Sequence, residues 1–150
     1  MKNILITGGL GFLGSYTIEK YKSKGYNITI IDNLSTNTIE PNDPICDNCR
    51  VIIKDILDYK WDKDDRFSII IHLASPVGPA VLLKEHEDKL LVGDFKVRNE
   101  YSMAKLLSEI VLTNTSKVTG LKYQIIRPFN ISGAKQLPDA GFVLPRFVTQ

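Results

Sequence analysis

The stretch Ile4-Leu5-Ile6-Thr7-Gly8-Gly9-Leu10-Gly11-Phe12-Leu13-Gly14 constrains this chain more than any other. A run of strand-forming apolar residues ends in Thr7. Gly8, Gly11 and Gly14 follow at a spacing of three, and the chain then enters a helical segment. Strand, glycine turn and helix in that order meet the needs of a dinucleotide pyrophosphate: a tight turn, backbone close to phosphate oxygens, and a helix N-terminus aimed at negative charge. A glycine triplet alone is a weak signal. Its place directly after the first strand makes it a strong one.

The remaining pattern alternates strands and helices. Residues 3–7 are mostly apolar, as in a strand buried on both faces. A helix is expected from Phe12 to Lys24, with Lys20, Lys22 and Lys24 near its carbonyl end and Gly25 as its cap. Tyr26–Ile31 reads as a second strand ending at Asp32, eighteen residues after Gly14. A carboxylate there accepts both hydroxyls of an adenosine ribose and repels a 2′-phosphate, favouring NAD over NADP. The alternative is an aspartate serving a helix cap or turn. A polar loop runs to about Asn48. Arg50–Lys54 is expected as a third strand and Phe67–Leu73 as a fourth, with a short helix over Leu57–Asp65 between them. Asp55 either reaches an adenine amino group or caps that helix. His72, inside the fourth strand, is expected as a buried, hydrogen-bonded core residue rather than a catalyst. Ala74-Ser75-Pro76 leaves the strand at the end where such sheets bind ligands, and small residues there let a ribose lie against the backbone. Val81–Leu91 reads equally as a short amphipathic helix or, from Leu90, as a turn between extended pieces. Asn99–Lys117 is expected as a helix with Tyr101, Ala104, Leu107, Ile110 and Val111 in one buried stripe. Lys122–Arg127 is expected as a fifth strand. Together these give an α/β, doubly wound parallel sheet of about five strands.

Composition narrows the function classes. The 150 residues are 43% apolar and 24% charged, ordinary for a globular domain. A net charge of +2, from 19 basic and 17 acidic residues, gives no electrostatic case for nucleic acid or an anionic membrane. No apolar run approaches the ~20 residues of a membrane span. Met1-Lys2 leads straight into the first strand with no room for a secretory signal, so the cytoplasm is the expected compartment. The only cysteines, Cys46 and Cys49, form a C-x-x-C in a Pro/Asn/Asp-rich turn. A thiol redox or metal role is one reading. A plain surface turn is favoured, because neither His72 nor His86 lies nearby to complete a zinc site and no helix starts at the motif. No metal site is expected.

Tyr101 and Lys105 stand four apart on the expected helix and so share a face. A tyrosine ionises near pH 10, and bringing it near 7 takes roughly 4 kcal/mol. An ammonium about 4 Å away at an effective dielectric of about 20 supplies energy of that order. The alternative is a packed aromatic beside a surface lysine paired with Glu109.

T-G-G-L-G-F-L-G, D-N-L-S-T, K-D-I, I-H-L-A-S, Y-S-M-A-K and R-P-F-N-I-S-G together resemble the extended short-chain dehydrogenase/reductases, more narrowly the NAD-dependent epimerase/dehydratase family acting on nucleotide sugars. The resemblance implies a Rossmann-type domain over residues 1–127 and the start of a substrate-binding region over 128–150. It implies bound NAD that takes a hydride from a sugar carbon and returns it, or leaves a keto-sugar for elimination or decarboxylation. Gly8, Gly11 and Gly14 would hold the pyrophosphate, with Asp32 at the adenosine ribose, Asp55-Ile56 at adenine, and Phe12, Leu13, Asn33 and Ser35 also in the cofactor site. Leu73, Ala74, Ser75 and Arg127 would complete the cofactor site. Tyr101 would be the general base, with Lys105 its partner and nicotinamide-ribose ligand. Pro128, Phe129 and Asn130 would line the sugar-nucleotide cleft, Asn130 as a substrate contact. A nucleotide sugar is the implied partner, and a homodimer is compatible with the family.

Two departures bear on activity. The family carries a further helix, a strand and a Ser/Thr-rich loop between I-H-L-A-S and Y-x-x-x-K, but here 25 residues separate Ser75 from Tyr101 and none is Ser, Thr or Tyr. Loss of such a preorganised donor costs on the order of 10²–10³ in rate, and Ser75 is the one nearby substitute. The family also continues into a C-terminal lobe beyond the position of Gln150, without which a half-cleft is expected to bind substrate weakly. Two functions from different classes follow: a working enzyme, or a non-catalytic NAD-binding module such as a truncated remnant.

Overall fold

A computed structural model describes residues 2–75, 97–128 and 131–137. Its elements are β1 (Asn3–Thr7), α1 (Phe12–Lys22), β2 (Asn27–Asp32), a 3₁₀ turn (Pro44–Cys46), β3 (Arg50–Ile53), β4 (Ile69–His72) and α2 (Val97–Thr119). The strands form one parallel sheet in the order β3-β2-β1-β4. Ile6 lies opposite Ile30, and Thr7 opposite both Ile31 and His72. The central strands are buried on both faces, as their mostly apolar sequences favour. Ile4, Ile6, Ile28 and Ile30 join Leu10, Ile18, Ile39 and Cys46 in one cluster, while Leu5 and Ile31, on the opposite face, are also buried. α1 ends where expected to within two residues, and Gly25 takes the left-handed conformation (φ 73°) behind it.

Four expectations are corrected. No helix forms over 57–65. Asp55 accepts from Leu57 N (2.9 Å), Asp58 N donates to Asp55 O (3.1 Å), and Asp65 gathers Tyr59 Oη, Asp62 N and Arg50. These local side-chain bonds close turns that compete with the helix ladder, and Leu57 stays 91% exposed. Residues 122–127 are not a strand, and the sheet has four strands among the described residues. The segment is tied back onto α2 instead, by Thr113–Tyr123 (3.1 Å), Ser116 to Leu121 O (2.6 Å) and a two-point Arg127–Glu109 ion pair. Third, the α2 stripe is exposed at Tyr101, Leu107, Ile110 and Val111, because none of the described strands packs along this helix. Finally, His72 is hydrogen-bonded as expected but not buried. It lies with Ile70 on the open face of the outer strand β4. The readings of Val81–Leu91, His86, Phe129 and Asn130 lie outside the described residues.

Candidate functional site at the carboxyl ends of the strands

Thr7, Asp32, Asp55 and Leu73 all sit at or just beyond the carboxyl ends of the parallel strands, where the glycine turn also lies. The three spaced glycines, Gly8, Gly11 and Gly14, differ in what requires them. Gly8 has φ 66°, donates its N–H to Ile31 O (2.8 Å), and a Cβ on it would stand 2.7 Å from Ala74 N. A Cβ on Gly14 would stand 2.3 Å from Gly9 O, so the helix closes onto the turn only through glycine. Gly11 differs. Its φ is −77°, and among the described residues a Cβ there would meet nothing nearer than Gly8 O at 3.4 Å, at the close end of ordinary contact. Packing among the described residues does not demand a glycine at position 11. Close approach by a phosphate would. Behind Gly11, α1 begins with no side-chain cap and no acidic residue in its first turn, which leaves the positive end of the helix available to an anion. The residues present therefore fit a dinucleotide.

Asp32 is buried, with Oδ2 accepting from Leu10 N and Oδ1 from Leu34 N, both at 2.9 Å. It is thus a turn aspartate, and each carboxylate oxygen retains a lone pair beyond the amide it accepts from. Asn33 Nδ2 donates to Asp55 Oδ2 (3.0 Å) and Asn33 Oδ1 accepts from Ser35 N (3.1 Å), so three residues expected in the cofactor site form one connected rim. Leu10 and the left-handed Leu34 (φ 61°) were not legible as contributors, because both act through backbone atoms.

Across the turn, Leu73 N donates to Thr7 O (3.0 Å), Thr7 Oγ1 and His72 Nδ1 are hydrogen-bonded to each other (2.7 Å), and Ala74 N donates to Thr7 Oγ1 (3.4 Å). Loss of solvation and the nearby Lys105 ammonium hold His72 below the ordinary imidazole value. Lys105 Nζ donates to Ser75 Oγ (2.8 Å) and stands 5.3 Å from the Tyr101 ring centroid. Three residues expected to act together are therefore brought together from a loop and a helix. Glu109, the alternative partner of Lys105, is taken by Arg127, and that pairing holds the Glu109 carboxyl below its usual range. Pro128 is exposed next to this pair. Cys46 and Cys49 are free thiols. Burial and then neighbouring Cys49 push Cys46 up to about 11, and burial raises Cys49 too, the opposite of what a reactive thiolate needs. Among the described residues no group of three or more His, Cys, Asp or Glu stands where it could hold a metal ion.

A parallel sheet whose first strand enters a helix through this glycine turn is a Rossmann-type α/β unit. Residues 4–82 and 76–150 match the profile of the NAD dependent epimerase/dehydratase family, and the chain belongs to that family. It is 26% identical to a UDP-N-acetyl-alpha-D-glucosaminuronate decarboxylase of Bacillus cytotoxicus, with 98% of this chain and 60% of that protein aligned. It is 30% identical to UDP-glucuronic acid decarboxylase 1 of Danio rerio, over 79% of this chain and 28% of that one. The Bacillus alignment extends over 195 positions, well beyond this chain's 150 residues, so the relative carries sequence without a counterpart here. In fold, the chain is similar to the UDP-glucose 4-epimerase of Thermotoga maritima (TM-score 0.73, 23% identity, 97% of this chain and 61% of that one). The chain thus spans less than two thirds of the length of these relatives.

Proposed function

We propose that this chain binds NAD at the glycine turn and acts on a nucleotide sugar, with Tyr101 as general base, Lys105 as its electrostatic partner and Ser75 as the hydroxyl beside them. The observation that carries the cofactor reading is Gly11: a glycine that packing among the described residues does not require, at the uncapped start of α1 and one residue from the Leu10 amide held by Asp32. When bound, NAD supplies the hydride acceptor and donor. The chain supplies the rest. Asp32 selects an unphosphorylated ribose, Lys105 orients the nicotinamide ribose, and Tyr101 removes the proton of a sugar hydroxyl. The relatives above are named for UDP-sugar chemistry, which makes UDP-sugars the first substrates to try. Residues 1–127 form the cofactor half in this reading, and 128–150 open the substrate half.

A second reading, a non-catalytic NAD-binding module, is favoured by the absence of Ser, Thr and Tyr from residues 76–100. Calorimetric titration with NAD, followed by an absorbance assay for NADH with UDP-, GDP- and dTDP-sugars, separates the two. Turnover abolished by Tyr101→Phe supports the enzyme. Binding with no turnover leaves the module, and no binding refutes both.

A further inference from the structure

We infer that Asp32 sets the shape of the glycine turn and is a positioning residue for the pyrophosphate, beyond the ribose role that the NAD reading gives it. The carboxylate is 8% exposed and spends both oxygens on backbone amides. One of these is Leu10 N, in the middle of the turn and directly before Gly11. The other is Leu34 N, on a residue held left-handed at φ 61°, a conformation a leucine adopts only under local constraint. Leu10 is fastened at its carbonyl as well, which accepts from Thr38 N (2.8 Å) and Ile39 N (3.2 Å). Its side chain is fully buried. Residues 32–39 therefore hold the peptide units on both sides of the Leu10 Cα. The second of these also carries the Gly11 amide, itself bonded to Gly8 O (3.3 Å), and leads into the start of α1. The direction in which the first turn of α1 faces follows from that grip. Charge-assisted bonds from a buried carboxylate are the strong members of the set.

This predicts a result that ribose reading alone does not. Asp32→Asn removes a negative charge near an anion site, which on Coulomb grounds tightens binding of inorganic pyrophosphate, a probe with no ribose. An amide NH₂ turned toward Leu10 N or Leu34 N cannot accept, so loss of positioning weakens it instead. In the unsubstituted protein, amide exchange measured by NMR should find Leu10 and Leu34 protected. In Asp32→Asn both should exchange about tenfold faster than any change at Ile30 or Ile31, with pyrophosphate bound at least about threefold more weakly. Asp32→Ser serves as the second variant if Asp32→Asn does not fold. Unprotected Leu10 or Leu34 in the unsubstituted protein overturns the inference. So does unchanged exchange in the folded variant, or equal or tighter pyrophosphate binding. Failure of the unsubstituted protein to bind NAD refutes the cofactor reading instead, and the exchange measurement still decides the role of Asp32.

Discussion

Gly14 and Gly11 carry the same side chain for different reasons, and substitution separates them. Gly14→Ala puts a methyl 2.3 Å from a carbonyl oxygen, an overpacking expected to cost about 3 kcal/mol and visible as a lower thermal midpoint. Gly11→Ala should melt within a degree or two of the parent yet bind NAD at least about tenfold more weakly, because its Cβ intrudes on the ligand rather than on the protein. A Gly11→Ala protein that binds NAD normally removes the main support for the cofactor site. At this scale the sequence was informative wherever spacing encodes geometry: three glycines, an aspartate eighteen residues on, and Tyr101 and Lys105 one helical turn apart. It was silent where backbone atoms do the work. Nothing in the letters Leu10 or Leu34 announces an amide held by Asp32.

Elements were legible where one tendency dominates. β1 and β2 are apolar on both faces and had one home, the centre of a parallel sheet. Ile6 shows what that is worth: it is fully buried in the main cluster, and Ile6→Ala should cost 2–5 kcal/mol in denaturant unfolding. The helix expected over 57–65 failed because that segment is dense in aspartates, whose carboxylates satisfy nearby amides more cheaply in turns than a short helix does. The strand expected at 122–127 failed for a topological reason. Its alternation is strand-like, but a strand needs an edge beside it, and the bonds of Thr113, Ser116 and Glu109 hold the segment against α2. Gly25, left-handed with open space around it, makes a cleaner test of local conformation. Gly25→Ala should cost about 1 kcal/mol through strain alone, with no loss of NAD binding.

On the scale of the whole molecule, the sheet presents His72 and Ile70 on the exposed side of β4. His72 also gives the molecule a pH signature. Its folded value lies below the ordinary 6.5, so the unfolded chain takes up the proton first as the pH falls. Stability is at its full value above about 6.5 and declines below it until the folded imidazole also protonates. Urea midpoints measured across that range should fall toward acid, and His72→Gln should flatten the slope. An unchanged slope would show that other groups control it. Calorimetric titration of the full chain with NAD and NADP side by side tests whether the glycine turn and Asp32 form an NAD-specific site. Saturable binding of NAD is expected, with at least about tenfold weaker binding of NADP, whose 2′-phosphate would meet the buried Asp32 carboxylate. No binding of either, or equal binding of both, would contradict such a site.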